Sequence, residues 1–227
     1  MNIKKKIFKL LSIKIIFLSL LKLDTFLYKL ISAIAVIKNK GIHPKHSIIN
    51  YEKWFLDELD NTDIVLDIGC NTGGMAKILS RKVEFVYGIE IEKDHIKNAN
   101  KFNAAENIQY ICSDATTFDY STLAKKISVI TLSNVLEHID ERKKILDTLC
   151  QNVNIEHNLR FLIRVPLIER DWLAVYKKEL NIDYRLDRTH VLEYTLDIFK
   201  EEMIKSNLKI NYYKIKFGEL YASCSLL

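Results

Sequence analysis

The 227-residue chain is 48% hydrophobic with only six Gly and two Pro, enough apolar material for one sizeable core plus an extension and too little turn chemistry for a loop-rich or low-complexity protein. Its formal net charge of +5 is unevenly spread: residues 1–45 hold ten Lys against one acid, Asp24, whereas residues 46–227 carry a net charge of −4. A slightly acidic body is a poor platform for a phosphate backbone, which argues against long nucleic acid as the main partner and leaves a small molecule.

Residues 1–45 read as a basic amphipathic helical extension, with Lys recurring among Leu, Ile and Phe as on a helix with one wet stripe. Lys14 and Lys22 bracket seven uncharged residues, well short of the roughly 20 that span a bilayer. No small-residue cleavage site follows. Two readings stay open: helices that cap the domain or a dimer interface, and peripheral contact of residues 1–40 with an anionic membrane surface. The oligomeric state is likewise open. The four cysteines (70, 112, 150 and 224) have no metal-knuckle spacing, as expected of reduced, partly buried thiols in a cytoplasmic protein, free or peripheral at the inner membrane.

Gly41 and Pro44 mark a break, after which residues 46–227 form the main domain. YEKWFLDELD (51–60) reads as a helix. Apolar strand candidates then follow at 64–69, 85–90, 108–114, 127–133 and 159–166. Between them lie the helical stretches GMAKILSRK, KDHIKNANKF, STLAKK and VLEHIDERKKILDTLCQ. This alternation predicts a parallel sheet covered on both faces, an α/β fold. After a helix at TLDIFKEEMIKSN, LKINYYKIKF and LYASCSLL predict a closing antiparallel pair.

VLDIGCNTGG (65–74) is a strand, a glycine turn and a helix start, the junction where open α/β sheets bind ligands. Glu90 ends the second strand about 20 residues later, where a carboxylate can accept ribose hydroxyls. Asp114 closes the third. In SNVLEHI, residues Asn134, Glu137 and His138 stand at i, i+3 and i+4, so a helix would place them on one face.

With these residues the chain resembles the class I S-adenosylmethionine-dependent methyltransferases over roughly residues 50–227. DIGCNTGG matches the first motif of that family, with Asn71 where a second glycine is common, YGIEIEKDHIKNA the second and CSDATTF the third. The resemblance implies a Rossmann-like seven-stranded sheet with helices on both faces. It implies S-adenosylmethionine as cofactor, with Asp67, Gly69, Cys70 and Gly73 around its methionine part and Ser133 at the end of the fourth strand. Glu90 would take the ribose, Ile91 would pack on the adenine, and Asp114 with Ala115 would meet its edge.

Acceptor residues are expected at Asn134 and between 164 and 195, where Arg164, Arg170, Trp172, Tyr176, Arg185, Arg188 and His190 occur. Several Arg suit an anionic acceptor. The leading reading is O-methylation of a small or sugar-linked, phosphorylated metabolite. The alternatives are methylation of a membrane-held quinone or lipid, and a catalytically silent cofactor-binding subunit. SNVLEHI and HVLEYT resemble stretches of the ubiquinone-type O-methyltransferases and of the small-RNA 2′-O-methyltransferases; in the latter, two glutamates and a histidine, joined by a later histidine, hold a divalent cation. Glu137, His138 and His190 match three of these, and Asn134 replaces the other glutamate. The ion would be Mn²⁺, Zn²⁺ or Mg²⁺. Without metal, His138 or His190 would serve as the base.

Overall fold

Seven apolar runs become β1 (Ile64–Ile68), β2 (Phe85–Glu90), β3 (Ile108–Cys112), β4 (Ile127–Ser133), β5 (Ile155–Pro166), β6 (Leu208–Lys216) and β7 (Glu219–Leu226). The computed structural model describes every residue except 1, 2, 42, 153 and 154, and the side chains except also those of 3–11, 152 and 155–157. The strands form one sheet in the order β3-β2-β1-β4-β5-β7-β6. β1 to β5 run parallel, and β7 is antiparallel to both β5 and β6. The expected seven-stranded sheet with a final antiparallel pair is therefore present. The turn between the last two strands is Phe217–Gly218, both with positive φ (51° and 73°), the geometry that matches a hairpin's right-handed twist.

Alternation along the strands sorts the side chains by face. Leu66, Ile68, Ile130, Leu132, Phe161 and Ile163 point one way, into a core closed by Leu146 of α6 (Arg142–Asn152) and Phe199 of α8 (Leu196–Lys205). On the other face, Trp54 and Phe55 of α3 (Tyr51–Asp57) are buried, and Trp54 meets Tyr221 edge-on with ring centroids 5.2 Å apart. The helices between the first strands are α4 (Gly74–Leu79) and α5 (Lys93–Phe102).

Two expected helices differ. STLAKK forms no α-helix: Tyr120–Thr122 make a single 3-10 turn capped by Asp119, with the Tyr120 ring fully buried. The stretch from Val135 is also not one helix. A 3-10 turn spans Leu136–His138, and α6 starts only at Arg142. Asn134 enters this turn at φ 56° and both Leu136 and Glu137 are fully buried, so packing on two sides wins over helix propensity. Asn134, Glu137 and His138 therefore do not share a helical face. Cys112 is exposed, whereas Cys70 and Cys224 are buried; all four thiols are free.

The chain divides into two compact units. The sheet unit comprises Asn50–Arg170 and Asp187–Leu227. The other joins the residues up to Ile49 with Asp171–Leu186, so the segment around α7 (Trp172–Glu179) groups with the N-terminal extension. That extension consists of α1 (Ile3–Lys38) and α2 (Pro44–Ile49), the latter opening on Pro as helices favour. Within this unit Lys29 pairs with Asp183 at 3.2 Å, and the buried Lys177 donates to Asp24 at 2.5 Å and to Thr25 at 2.9 Å. Of the lysines on α1 whose side chains are described, Lys14, Lys22 and Lys38 are exposed as expected and Lys29 is half-buried. Leu18, Leu21, Thr25, Lys29 and Ser32 face inward, whereas most of the other large aliphatic side chains, from Ile13 to Ile37, are exposed. Among the described residues no helix is long and apolar enough to cross a membrane.

Phe161 is fully buried at the centre of the sheet. Phe161→Ala should lower unfolding free energy by about 3–5 kcal/mol in chemical denaturation, with the denaturant slope unchanged. A loss under about 1 kcal/mol would show that the site collapses around the missing ring.

Candidate functional site

β1 reaches the core with one charged side chain, Asp67, only 2% exposed. Its Oδ1 accepts from the Thr131 hydroxyl of β4 at 2.7 Å, and its Oδ2 has no hydrogen-bond partner among the described residues. Burial, opposed by the Thr131 bond and reinforced by the Glu90 charge, pushes the carboxyl up to about 7. A buried carboxylate with one unmet oxygen is suited to a cationic ligand group.

Beyond β1 the chain turns on Gly69. Its φ is 68°, and a Cβ there would stand 2.7 Å from Val135 Cγ2, so two features exclude a side chain. Gly73, at φ 78°, approaches Tyr110 as closely: a Cβ would lie 2.4 Å from the Tyr110 oxygen. Asn71 takes φ 50°, a conformation Asn tolerates, which explains how it replaces a glycine in this loop. The Gly69 and Cys70 amides donate to the Ile89 carbonyl at 2.8 and 3.0 Å, tying the loop to β2. Cys70 is buried and its thiol is pushed far up, first by burial and then by the charges of Asp67 and Glu90, so it is not a nucleophile.

Glu90 is pinned: Oε2 accepts from the Asn71 amide at 2.9 Å and Oε1 from the Glu92 amide at 3.0 Å. Ile91, next to it, is 60% exposed, an apolar surface beside the carboxylate. Asp114 lies two residues past β3, and its Oδ1 accepts from the Thr116 amide and hydroxyl at 2.8 and 2.7 Å. The Ala115 carbonyl accepts from Tyr120 at 2.7 Å. Ser133 is the last residue of β4 and half-buried.

A second cluster sits beyond β4. The Val191 amide donates to the Glu137 carbonyl at 2.9 Å, which docks the 187–193 loop on the 3-10 turn. His190 thereby comes to His138, with ring centroids 4.7 Å apart and nearly perpendicular. Ligand atoms of Glu137, His138 and His190 all lie within 4.8 Å of one another. Glu137 is fully buried, both its oxygens lack a hydrogen-bond partner among the described residues, and burial raises it to about 7. His190 Nδ1 lies 3.5 Å from Glu193, which is also bonded to Arg170.

The tautomer of His138 follows from its neighbours. Thr189 Oγ1 donates its one proton to Asp187 Oδ1 at 2.8 Å, since a carboxylate only accepts. It must therefore accept, at 3.0 Å, from His138 Nδ1–H. Nε2 keeps its lone pair. His138 is held below the usual imidazole value, first by burial and then by His190, and stays neutral near pH 7. Thr189 and Asp187 were missed in the sequence. Their signal was the DRTH spacing, legible only once His190 is placed.

The structure places the expected acceptor residues unevenly. Asn134 accepts from Arg164 Nε at 3.1 Å. Arg164 is buried, its Nε bonded also to Glu219 at 3.0 Å and its guanidinium stacked 4.1 Å from the Tyr51 ring centroid, while its Nη1 has no hydrogen-bond partner among the described residues. Arg170 pairs with Glu193 and Arg185 with Asp183. Trp172, Tyr176 and Arg185 belong to the unit that contains α1, and Arg188 is exposed on the loop before Thr189.

Residues 46–212 match the family described as "Methyltransferase domain". A probable cobalt-precorrin-6B C(15)-methyltransferase (decarboxylating) of Methanococcus vannielii is 29% identical over 57% of this chain and 74% of its own. The chain spans between 49% and 74% of the first curated relatives it matches. Among solved structures, a putative methyltransferase from Bacillus halodurans superposes with a TM-score of 0.62 at 11% identity, covering 79% of this chain and 98% of that one. A small RNA methyltransferase superposes with a TM-score of 0.63 at 13% identity over 78% of this chain and 25% of its own. At these identities the structures establish the fold.

The raised Asp67 carboxyl lies above the roughly 3.9 of an unfolded aspartate, so its ionisation costs the ligand-free protein stability. That stability is fully present below about pH 4 and is lost as the pH rises through about 7. In urea titrations, Asp67→Asn should gain on the parent protein from pH 5 to pH 8. Parallel pH curves would show that Asp67 stays hydrated.

Proposed function

Because this chain belongs to the methyltransferase domain family and is an S-adenosylmethionine-dependent methyltransferase, we propose that its acceptor is a hydroxyl of a small molecule, deprotonated at Glu137, His138 and His190. The observation that carries this reading is the convergence of one buried carboxylate and two imidazoles beyond β4. S-adenosylmethionine supplies a methyl group already activated as a sulfonium, so transfer breaks a C–S bond, forms an O–C bond and releases one proton. The protein must therefore position the acceptor oxygen and take up that proton.

His138 is suited to the second task. Asp187 and Thr189 fix its proton on Nδ1, and its lowered basicity keeps Nε2 able to accept at neutral pH. The donor set also fits a divalent cation, since Glu137 has two unmet buried oxygens beside two imidazoles. Such an ion, held by Glu137, His138 and His190, would lower the acceptor's pKa, and the two imidazoles favour Mn²⁺ or Zn²⁺ over Mg²⁺.

On the cofactor side, the unmet Asp67 oxygen supports contact with the ammonium of the methionine moiety, and the backbone of Gly69, Cys70 and Gly73 lies alongside. Glu90 is offered for the ribose, and Ile91, Asp114 and Ala115 for the adenine. Arg164, Arg170 and Arg185 are each paired with a carboxylate. That weakens the case for a phosphorylated acceptor and favours an uncharged hydroxyl compound.

Glu90→Ala should lower cofactor affinity by about 1.5–3 kcal/mol in calorimetry, the range for hydrogen bonds to a charged group. Unchanged affinity would remove Glu90 from the site. A screen with methyl-labelled cofactor should span hydroxylated metabolites, nucleotide sugars, quinone analogues, a corrin precursor and short RNA. Label on a carbon or on RNA would overturn the small-hydroxyl reading.

With an acceptor in hand, Glu137→Gln and His138→Ala should each cost about 10²–10⁴ in turnover while leaving cofactor affinity intact. Chelation followed by cation add-back then separates the two forms of the centre. Rescue that is lost in His190→Ala identifies a metal site. Full activity after chelation identifies an acid–base pocket.

A further inference from the structure

We propose that α1 pairs with α1 of a second copy of this chain, as an antiparallel two-helix coiled coil. Between residues 13 and 37 the helix keeps an unbroken 3-4 spacing of Leu and Ile, a seam of three and a half heptads with no polar interruption. Every one of these side chains is exposed, from 43% at Leu30 to 79% at Ile37. The opposite side of the helix, with Thr25, Lys29 and Ser32, packs within its own unit. The packed side of the helix is thus a mixed one, with Leu18 and Leu21 beside Thr25, Lys29 and Ser32, and a zipper pattern is left outside.

The order of residues in the seam selects the orientation. Reflected about Thr25, Ile13 falls on Ile37, Ile16 on Ile34, Leu20 on Leu30 and Leu23 on Leu27. An antiparallel pair crossing at Thr25 therefore stacks every layer like on like. It also sets each first heptad position against a fourth position of the other copy, as two-fold self-pairing requires. Together with the exposed Phe26 and Ile31 alongside, the seam can bury on the order of 800 Å² per chain, the per-partner area of a standard stable interface.

The charges agree. Lys14, Lys22 and Lys29 stand off the seam, and Asp24, which flanks it, is neutralised in its own chain by Lys177. A lipid surface would demand no heptad spacing and no like-on-like order. It would also have to accept Asp24 on the buried side.

Sedimentation equilibrium of the full chain at low micromolar concentration should give twice the 26.6 kDa of one copy. Leu23→Lys should yield a monomer with an unchanged helical spectrum and unchanged cofactor affinity, since α1 lies outside the sheet unit. Adding Leu27→Glu to Leu23→Lys should restore the dimer, because position 23 of one copy meets position 27 of the other. A parallel pair would set Lys against Lys and stay apart. A parent protein that is monomeric at these concentrations overturns the proposal, all the more if it sediments with phosphatidylglycerol vesicles. A double variant that remains monomeric overturns the antiparallel register.

Discussion

Asp67 is a carboxylate placed inside a hydrophobic sheet, and much of the site is arranged around the cost of keeping it there. It stands on β1, where the strand order reverses between β2 and β4, so a crevice opens at the carboxyl ends of the strands. Burial raises its free energy, and one hydroxyl, that of Thr131 on β4, offsets part of that. The glycine turn that follows brings backbone amides and Glu90 close by, so the remaining unmet oxygen lies where a cationic group can be received. The position is poor for stability, the pattern expected where a site is kept open for a ligand.

The second cluster is built by another device. Glu137 and His138 come from a 3-10 turn and His190 from a loop far along the chain. Backbone hydrogen bonds from that loop to the Glu137 carbonyl bring them together. Arg164, Asn134 and Glu219 form a buried polar brace beside the turn, linking β5, the end of β4 and β7. Removing one member would leave the others buried and unpaired, so each single substitution in the brace is strongly destabilising.

The packed side of the N-terminal helix shows the same accounting of buried polar groups. Lys29, Thr25 and Lys177 find partners inside the unit beside the buried Leu21, and the Leu and Ile side chains of the opposite side are exposed. An exposed apolar face of this extent is the mark of an interaction surface.

The sequence by itself determined the β–α alternation, the glycine turn after β1, the strand-end acids and the closing antiparallel pair. These rest on local rules: side-chain period, turn chemistry and strand length. It also held all three members of the carboxylate–imidazole cluster, through their likeness to a known turn. Tertiary structure decided the rest. Packing of Leu136 and Glu137 turned an expected helix into a 3-10 turn, and ion pairs engaged Arg164 and Arg170, which composition alone presents as open cations. Which side of α1 meets the protein was also decided there, because nothing local marks Lys29 as the lysine that finds a partner, Asp183, far along the chain. Local pattern specifies elements; partners distant in sequence specify which polar groups are satisfied, and the site consists of those that are not.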